Sequence, residues 1–226
     1  MIGTAPQPIE IDVFSDVVCP WCYLGKRRLA AALTLVPEIA ATVSWRPFRL
    51  DPTIPREGID RAEYVRRKFG GPDGVAGAHD ELTSAGKKVG IDFRFERIAR
   101  SPNSIDAHRL VRWAGTVGRQ DTVVERMFRA YFTEGADVGD DLVLAALAGE
   151  SGIDAALVAK RLVSDEDRAA VEEEVAHAYK IGVAGVPCFI IGKRYAVMGA
   201  QLPETIADAI RTVSEERDAE TATGLA

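Results

Sequence analysis

Ile9-Glu10-Ile11-Asp12-Val13-Phe14 runs through Ser15-Asp16-Val17-Val18 into Cys19-Pro20-Trp21-Cys22. The first six residues alternate apolar and polar and then turn apolar, which is the pattern of a buried strand. Beyond Cys22, the residues Leu24, Arg28, Leu29, Ala32 and Leu33 describe a helix that Pro37 stops. The two cysteines therefore sit where a strand ends and a helix begins. Cys19 takes the N-cap, and Pro20 takes the first helical position, where a missing N–H costs nothing. The free N–H groups and the positive end of the helix dipole favour a thiolate at Cys19. Cys22 falls on the same face one turn deeper, within bridging distance. This spacing predicts an exposed, acidic nucleophile with a resolving thiol behind it, the division of labour that thiol–disulfide exchange needs. A lone C-x-x-C is also half a zinc site. Cys188, His79, His108 and His177 supply no second pair at ligand spacing.

Outward from this point, Thr42-Val43-Ser44-Trp45-Arg46-Pro47-Phe48 alternates again, so the opening reads strand, helix, strand: a parallel pair with a crossover. Asp51-Pro52-Thr53-Ile54-Pro55 breaks the pattern, and from Asp60 to Ile181 the periodicity is mostly helical. The clearest helical stretches are residues 104–117, 122–132, 141–148, 154–162 and 165–181, with Gly118, Gly135, Gly152 and Gly182 where helix ends favour glycine. Ile91-Asp92-Phe93-Arg94-Phe95 reads as an extended connector. Strand character returns at Val186-Pro187-Cys188-Phe189-Ile190-Ile191. Gly192-Lys193 reads as a type II′ turn into Arg194-Tyr195-Ala196-Val197-Met198, and Pro203 opens a last helix. The tail from Asp218 reads as frayed. Gly185-Val186-Pro187 stands just before a strand, a usual place for a proline that cannot donate to a ladder, and a tight turn there suits a cis bond.

The composition sets the limits. The chain has 226 residues, 47% of them hydrophobic, and 28 basic against 34 acidic residues give a net charge of −6. A chain of this size buries a core without staples, and nothing in it resembles a disordered or collagen-like sequence. The acidic balance points away from nucleic acid and anionic membranes and towards a small molecule or a protein partner. Three cysteines are too few for a stapled secreted scaffold. No basic-then-apolar leader opens the sequence, and no stretch of roughly 18 apolar residues suits a membrane span. The expected setting is the cytoplasm, where a close cysteine pair is catalytic or metal-binding rather than structural.

The chain resembles the thioredoxin superfamily in its DsbA-like form with an inserted helical domain, and within that form the FrnE-type branch. The resemblance rests on Phe14-Ser15-Asp16-Val17-Val18-Cys19-Pro20-Trp21-Cys22-Tyr23-Leu24-Gly25-Lys26 and Trp45-Arg46-Pro47-Phe48-Arg49-Leu50-Asp51-Pro52. It continues through Asn103-Ser104, Ala107-His108-Arg109-Leu110, Gly182-Val183-Ala184-Gly185-Val186-Pro187 and Gly199-Ala200-Gln201. It implies an α/β, thioredoxin-like fold (βαβ…ββα) interrupted by an all-helical insertion domain. Residues 1–52 and 182–220 would form the discontinuous thioredoxin-like domain, 53–181 the insertion, and 221–226 a frayed tail.

The resemblance further implies that Cys19 is the nucleophile, Cys22 the resolving thiol and Pro187 a cis proline opposite them. Val186 would offer its backbone to an extended substrate segment. Pro20, Trp21, Asn103 and His108 are implied as supporting residues, with the helix that carries His108 lying over the active site. Helix capping by Ser101 or Asn103 and a hydrogen-bonded surface His108 is the plainer reading. Trp21, Phe48 and Leu50 suit an apolar rim, although Phe48 also suits a core. Asp16 suits proton transfer to Cys22 or, more simply, a solvated loop. Cys188 stands where relatives carry an apolar residue and reads as packed. Glu172-Glu173-Glu174 reads as a polar helix face.

The expected activity is exchange through the Cys-Pro-Trp-Cys dithiol, as an oxidoreductase or isomerase, with no bound metal or organic cofactor. The expected partners are protein disulfides or dithiols, with coupling to glutathione or another thiol pool and a monomer or homodimer as the acting form. Two other readings stand beside it. One is a glutathione-dependent small-molecule enzyme like kappa-class transferases or 2-hydroxychromene-2-carboxylate isomerases, which typically carry serine where Cys19 stands. The other is a non-catalytic chaperone-like or biosynthetic accessory protein.

Overall fold

The computed structural model describes residues 7–224. Strand β1 (Ile9–Ser15) leads into helix α1 (Pro20–Thr34), and strand β2 (Ala41–Pro47) returns beside β1. The two strands run parallel, Ile9 opposite Ala41 through Ser15 opposite Pro47, which needs the crossover that α1 supplies. Strand β5 (Cys188–Ile191) runs antiparallel on the other side of β1, and β6 (Tyr195–Met198) pairs antiparallel to β5. The four-stranded order is β2-β1-β5-β6.

Alternation along β1 and β5 produces two unlike faces. Ile9, Ile11 and Val13, with Phe189 and Ile191, face the main core, closed by Ile206, Ala207, Ile210 and Val213 of α9 (Pro203–Thr223). Phe14 and Cys188 face the other way, into a smaller cluster with Phe48, Ala178 and Val183. The outer edge of β2 is finished by a side chain. Gln120 accepts from the Trp45 N–H at 2.8 Å and donates to its carbonyl at 3.2 Å, which leaves that edge no free template for another strand at Trp45.

Between β2 and β5 lie α2 (Arg61–Phe69), α3 (Asp73–Lys88), α4 (Ile105–Thr116), α5 (Gln120–Arg129), α6 (Asp141–Glu150), α7 (Ala155–Val163) and α8 (Arg168–Lys180). A two-residue ladder, β3 (Ile59–Asp60) with β4 (Arg100–Ser101), ties the start of α2 to the approach to α4. These helices share the core of the sheet rather than building a separate one. Tyr23 of α1 stacks on Phe128 of α5 with centroids 5.1 Å apart, and Phe93 and Phe132 close around it. Arg109 on α4 is wholly buried, and its guanidinium donates to the carbonyls of Arg161, Ser164 and Glu166 and to the Asp106 carboxylate. It thereby adds a charged donor to the carbonyls at and just past the end of α7.

Three local expectations change. Gly192 and Lys193 both have positive φ, 58° and 60°, so the hairpin turn is type I′ rather than II′, the form that matches strand twist. The tail is not frayed from Asp218: α9 continues to Thr223 and ends at Gly224, because Arg194 of the hairpin reaches Glu220 at 2.7 Å and Tyr195 bonds Glu216. Residues 225–226 of the expected tail lie outside the described residues. The stretch 122–132 is not a single α-helix: α5 begins at Gln120 and stops at Arg129, where the chain widens into a π-turn (Ala130–Glu134). Helices α2 and α3, not singled out above, carry little apolar patterning. Only Val65 is buried in α2, and α3 contains Gly74, Gly77 and Gly86.

Candidate active site

Cys19 is the N-cap of α1 with extended backbone (φ −95°, ψ 114°), and Pro20 follows at the first helical position. The Cys19 carbonyl already accepts from Cys22 and Tyr23 N–H groups, so the turn holding both sulfurs is set by the helix itself. Both cysteines are free thiols. The Val186–Pro187 peptide is cis, and the Val186 carbonyl accepts from Cys19 Sγ at 3.8 Å. Val186 lies two residues before β5, outside its ladder and half-buried. The loop after Pro187 is held by Gly199 N–H donating to the Pro187 carbonyl at 2.8 Å and by Arg28 donating to Ala200.

Cys19 is not exposed, contrary to the spacing argument. It is 2% accessible, because the 186–187 segment closes over the helix start and takes the sulfur as a donor. A substrate sulfur has to displace that contact. Cys22 is completely buried. Burial and then the neighbouring Cys19 sulfur push its thiol well up, while the Ser15 hydroxyl and the Asp16 backbone pull the other way. Cys22 is therefore the thiol that keeps its proton until Cys19 is engaged. Cys188 is buried on the opposite face of the sheet, and its thiol is pushed up by burial alone.

Asp16 overturns the solvated-loop reading. Its side chain is 2% accessible, accepting from Leu50 N–H at 2.8 Å and more weakly from Val18 N–H at 3.4 Å. Its Oδ1 lies 3.6 Å from His108 Nε2, which is also 3.0 Å from the Phe48 carbonyl. A carbonyl only accepts, so Nε2 carries the ring hydrogen in this arrangement. His108 is thus brought beside the loop that precedes Cys19, and it is buried rather than at the surface, because the Phe48 carbonyl and Asp16 close around its ring. Asn103 spans backbone on both sides, donating to the Ile54 carbonyl at 2.9 Å and accepting from Ile105 N–H at 3.1 Å. Of the two capping candidates, Asn103 serves the start of α4. Trp21 and Pro20 are half-buried, Leu50 is exposed, and Phe48 is core, its ring tilted against Tyr179.

Gly25 and Ser15 were quoted without a role. A Cβ on Gly25 would come within 2.8 Å of Pro187 Cγ and 3.3 Å of Phe189 Cζ, so α1 can pass beneath the proline only without a side chain there. Its place one turn after Cys22 is the sequence clue. Among the described residues, no three or more His, Cys, Asp or Glu side chains gather to hold a metal, and no helix is long and apolar enough to cross a membrane. What the arrangement can do is exchange electrons between sulfurs: a thiol at a helix start covered by the Val186 carbonyl, a fully buried second thiol one turn behind it, and the cis-proline segment opposite.

A family model described as a DSBA-like thioredoxin domain matches residues 10–211. The crystal structure of the probable DsbA oxidoreductase SCO1869 from Streptomyces coelicolor is 30% identical, with 92% of this chain and 91% of that one covered and a TM-score of 0.81. The uncharacterized protein YwbO of Bacillus subtilis is 27% identical over 185 residues, 81% of this chain and 87% of that protein. The cytosolic disulfide reductase DsbM from Pseudomonas aeruginosa, solved with GSH, shares the fold at 19% identity, a TM-score of 0.62, and coverage of 92% and 98%. The architecture is thus a thioredoxin-like α/β fold with a helical insertion.

Proposed function

The chain belongs to the DSBA-like thioredoxin domain family of thiol–disulfide oxidoreductases, and from that premise we propose that it exchanges disulfides through the Cys19–Cys22 dithiol. The observation that carries this reading is the pairing of a Cys19 N-cap with a fully buried Cys22 one turn behind it, whose thiol burial pushes up. Cys19 attacks a substrate disulfide, giving a mixed disulfide and one released thiol. Cys22 then attacks the Cys19 sulfur, forming the internal disulfide and releasing the second thiol. The reverse sequence oxidises a substrate dithiol. Val186 backbone and the half-buried Trp21 would flank an extended substrate segment.

The proposed substrates are protein disulfides or dithiols, in the manner of the FrnE-type branch, with glutathione as the thiol pool. That choice is supported by the fold shared with a disulfide reductase solved with GSH. The proposed setting is the cytosol, named for that same neighbour. The second cysteine favours exchange over glutathione-dependent isomerisation, which has no use for a resolving thiol.

The test is trapping. Cys19→Ser abolishes insulin reduction. Cys22→Ser accumulates a reducible mass addition on Cys19, and Cys188→Ser behaves as the parent. An adduct that maps to Cys188, or no adduct at all, overturns the assignment. Protein adducts support the protein-substrate form, and glutathione alone as adduct overturns it in favour of small-molecule chemistry.

A further inference from the structure

Ser15 ends β1 on the same face as Ile11 and Val13, the face that meets the main core, in the short loop region that delivers the chain to Cys19. Its hydroxyl oxygen is buried and has no hydrogen-bond partner of normal geometry among the described residues. Buried hydroxyls are almost always paired, and one left open costs free energy, so the vacancy calls for a reason. Cys22 belongs to the buried core that this face of β1 meets, and the Ser15 hydroxyl favours the charged form of its sulfur. The opposing contributions at Cys22 are its complete burial and the adjacent Cys19 sulfur. The Asp16 backbone also favours the thiolate. Ser15 is therefore a donor with nothing to donate to while Cys22 remains a thiol.

We propose that Ser15 is a positioning residue for the second step of exchange, donating its hydroxyl hydrogen to the Cys22 sulfur as that sulfur becomes the attacking thiolate. The inference rests on the dithiol reading above and deepens it. In this step Cys22 sulfur bonds to Cys19 sulfur while the bond from Cys19 to the departing sulfur breaks. The departing sulfur leaves with the bonding electron pair and takes up one proton, balancing the one Cys22 gives up. No outside oxidant or reductant enters. A hydrogen bond to an ionised sulfur is stronger than one to a thiol, so Ser15 contributes after the mixed disulfide forms and little before.

The experiment is a single turnover of the reduced full chain with 5,5′-dithiobis(2-nitrobenzoate). The first nitrothiobenzoate released reports attack by Cys19 and depends on reagent concentration. The second reports attack by Cys22 and does not. Ser15→Ala leaves the first phase unchanged and slows the second about ten- to a hundredfold at neutral pH, with its pH midpoint moved up by roughly one unit or more. Ser15→Thr, which keeps the hydroxyl, restores most of the rate. The urea midpoint of Ser15→Ala does not fall below the parent value, because the hydroxyl serves no other group and its removal relieves an unpaired buried donor. An unchanged second phase and pH midpoint overturns the inference. So does equal slowing of both phases with a lowered urea midpoint, which makes Ser15 a packing residue. Absence of any second phase in the parent overturns the dithiol reading instead, so the two failures are separable.

Discussion

Asp16 Oδ1, in the turn that leads from β1 to Cys19, and His108 Nε2 of α4 stand 3.6 Å apart, both side chains buried. The pair joins the β1–α1 loop to α4 and, through Leu50 N–H and the Phe48 carbonyl, to the loop after β2. Three segments distant in sequence are thus held by one carboxylate and one ring.

Asp16→Ala strands the Leu50 and Val18 N–H groups without their acceptor. Leaving buried donors unmade costs about 1–3 kcal/mol, so the urea midpoint drops accordingly. Asp16→Asn keeps an acceptor oxygen and loses less. If the alanine variant unfolds at the parent midpoint, the carboxylate is not holding these loops.

Gly25→Ala places a methyl 2.8 Å from Pro187 Cγ. Overpacking of this kind costs roughly 1–3 kcal/mol and shifts the 186–187 segment against Cys19, so both stability and exchange rate fall. Gly77→Ala is the contrast: it also lies within a helix but meets nothing within 4 Å, and it stabilises by roughly 0.5–1 kcal/mol. Thermal unfolding of the two variants checks the pair. Equal effects would mean that the Pro187 contact exerts no constraint.

Reduced protein loses stability as pH rises above the thiol range. Burial raises the folded values of Cys22 and Cys188, so the folded state retains protons that unfolded thiols release above about 8.5. The unfolded state then binds fewer protons, and stability falls with pH by up to about 1.4 kcal/mol per unit for each such thiol. Below that range neither thiol contributes to pH dependence. Urea unfolding of the reduced chain at pH 8, 9 and 10 should show the decline, with a shallower slope in Cys188→Ala. A flat profile means that neither thiol is held as described.

The Cys19 N-cap, Pro20 at the first helical position, the βαβ opening, the closing hairpin and the glycines at helix ends are all readable along the chain. Each depends on neighbours within a turn or two, where backbone sterics and hydrogen bonding act locally. Helices α2 and α3 are harder to read because few of their residues face a core, and the extension of α9 depends on Arg194 and Tyr195, some twenty residues upstream.

Residue type and local spacing alone determine that this chain carries two sulfurs one helical turn apart at a helix start. Tertiary structure alone decides how those sulfurs behave. Cys19 is covered because Val186, 167 residues away, closes over it. Asp16 is buried because Leu50 and His108 come to meet it. Gly25 has to be glycine because Pro187 crosses above it. Arg109 is tolerated in the core because the end of α7 offers it carbonyls. Burial and polar partnership are properties of where other segments arrive, and a charged or reactive group takes its energy from those surroundings rather than from its neighbours in the chain.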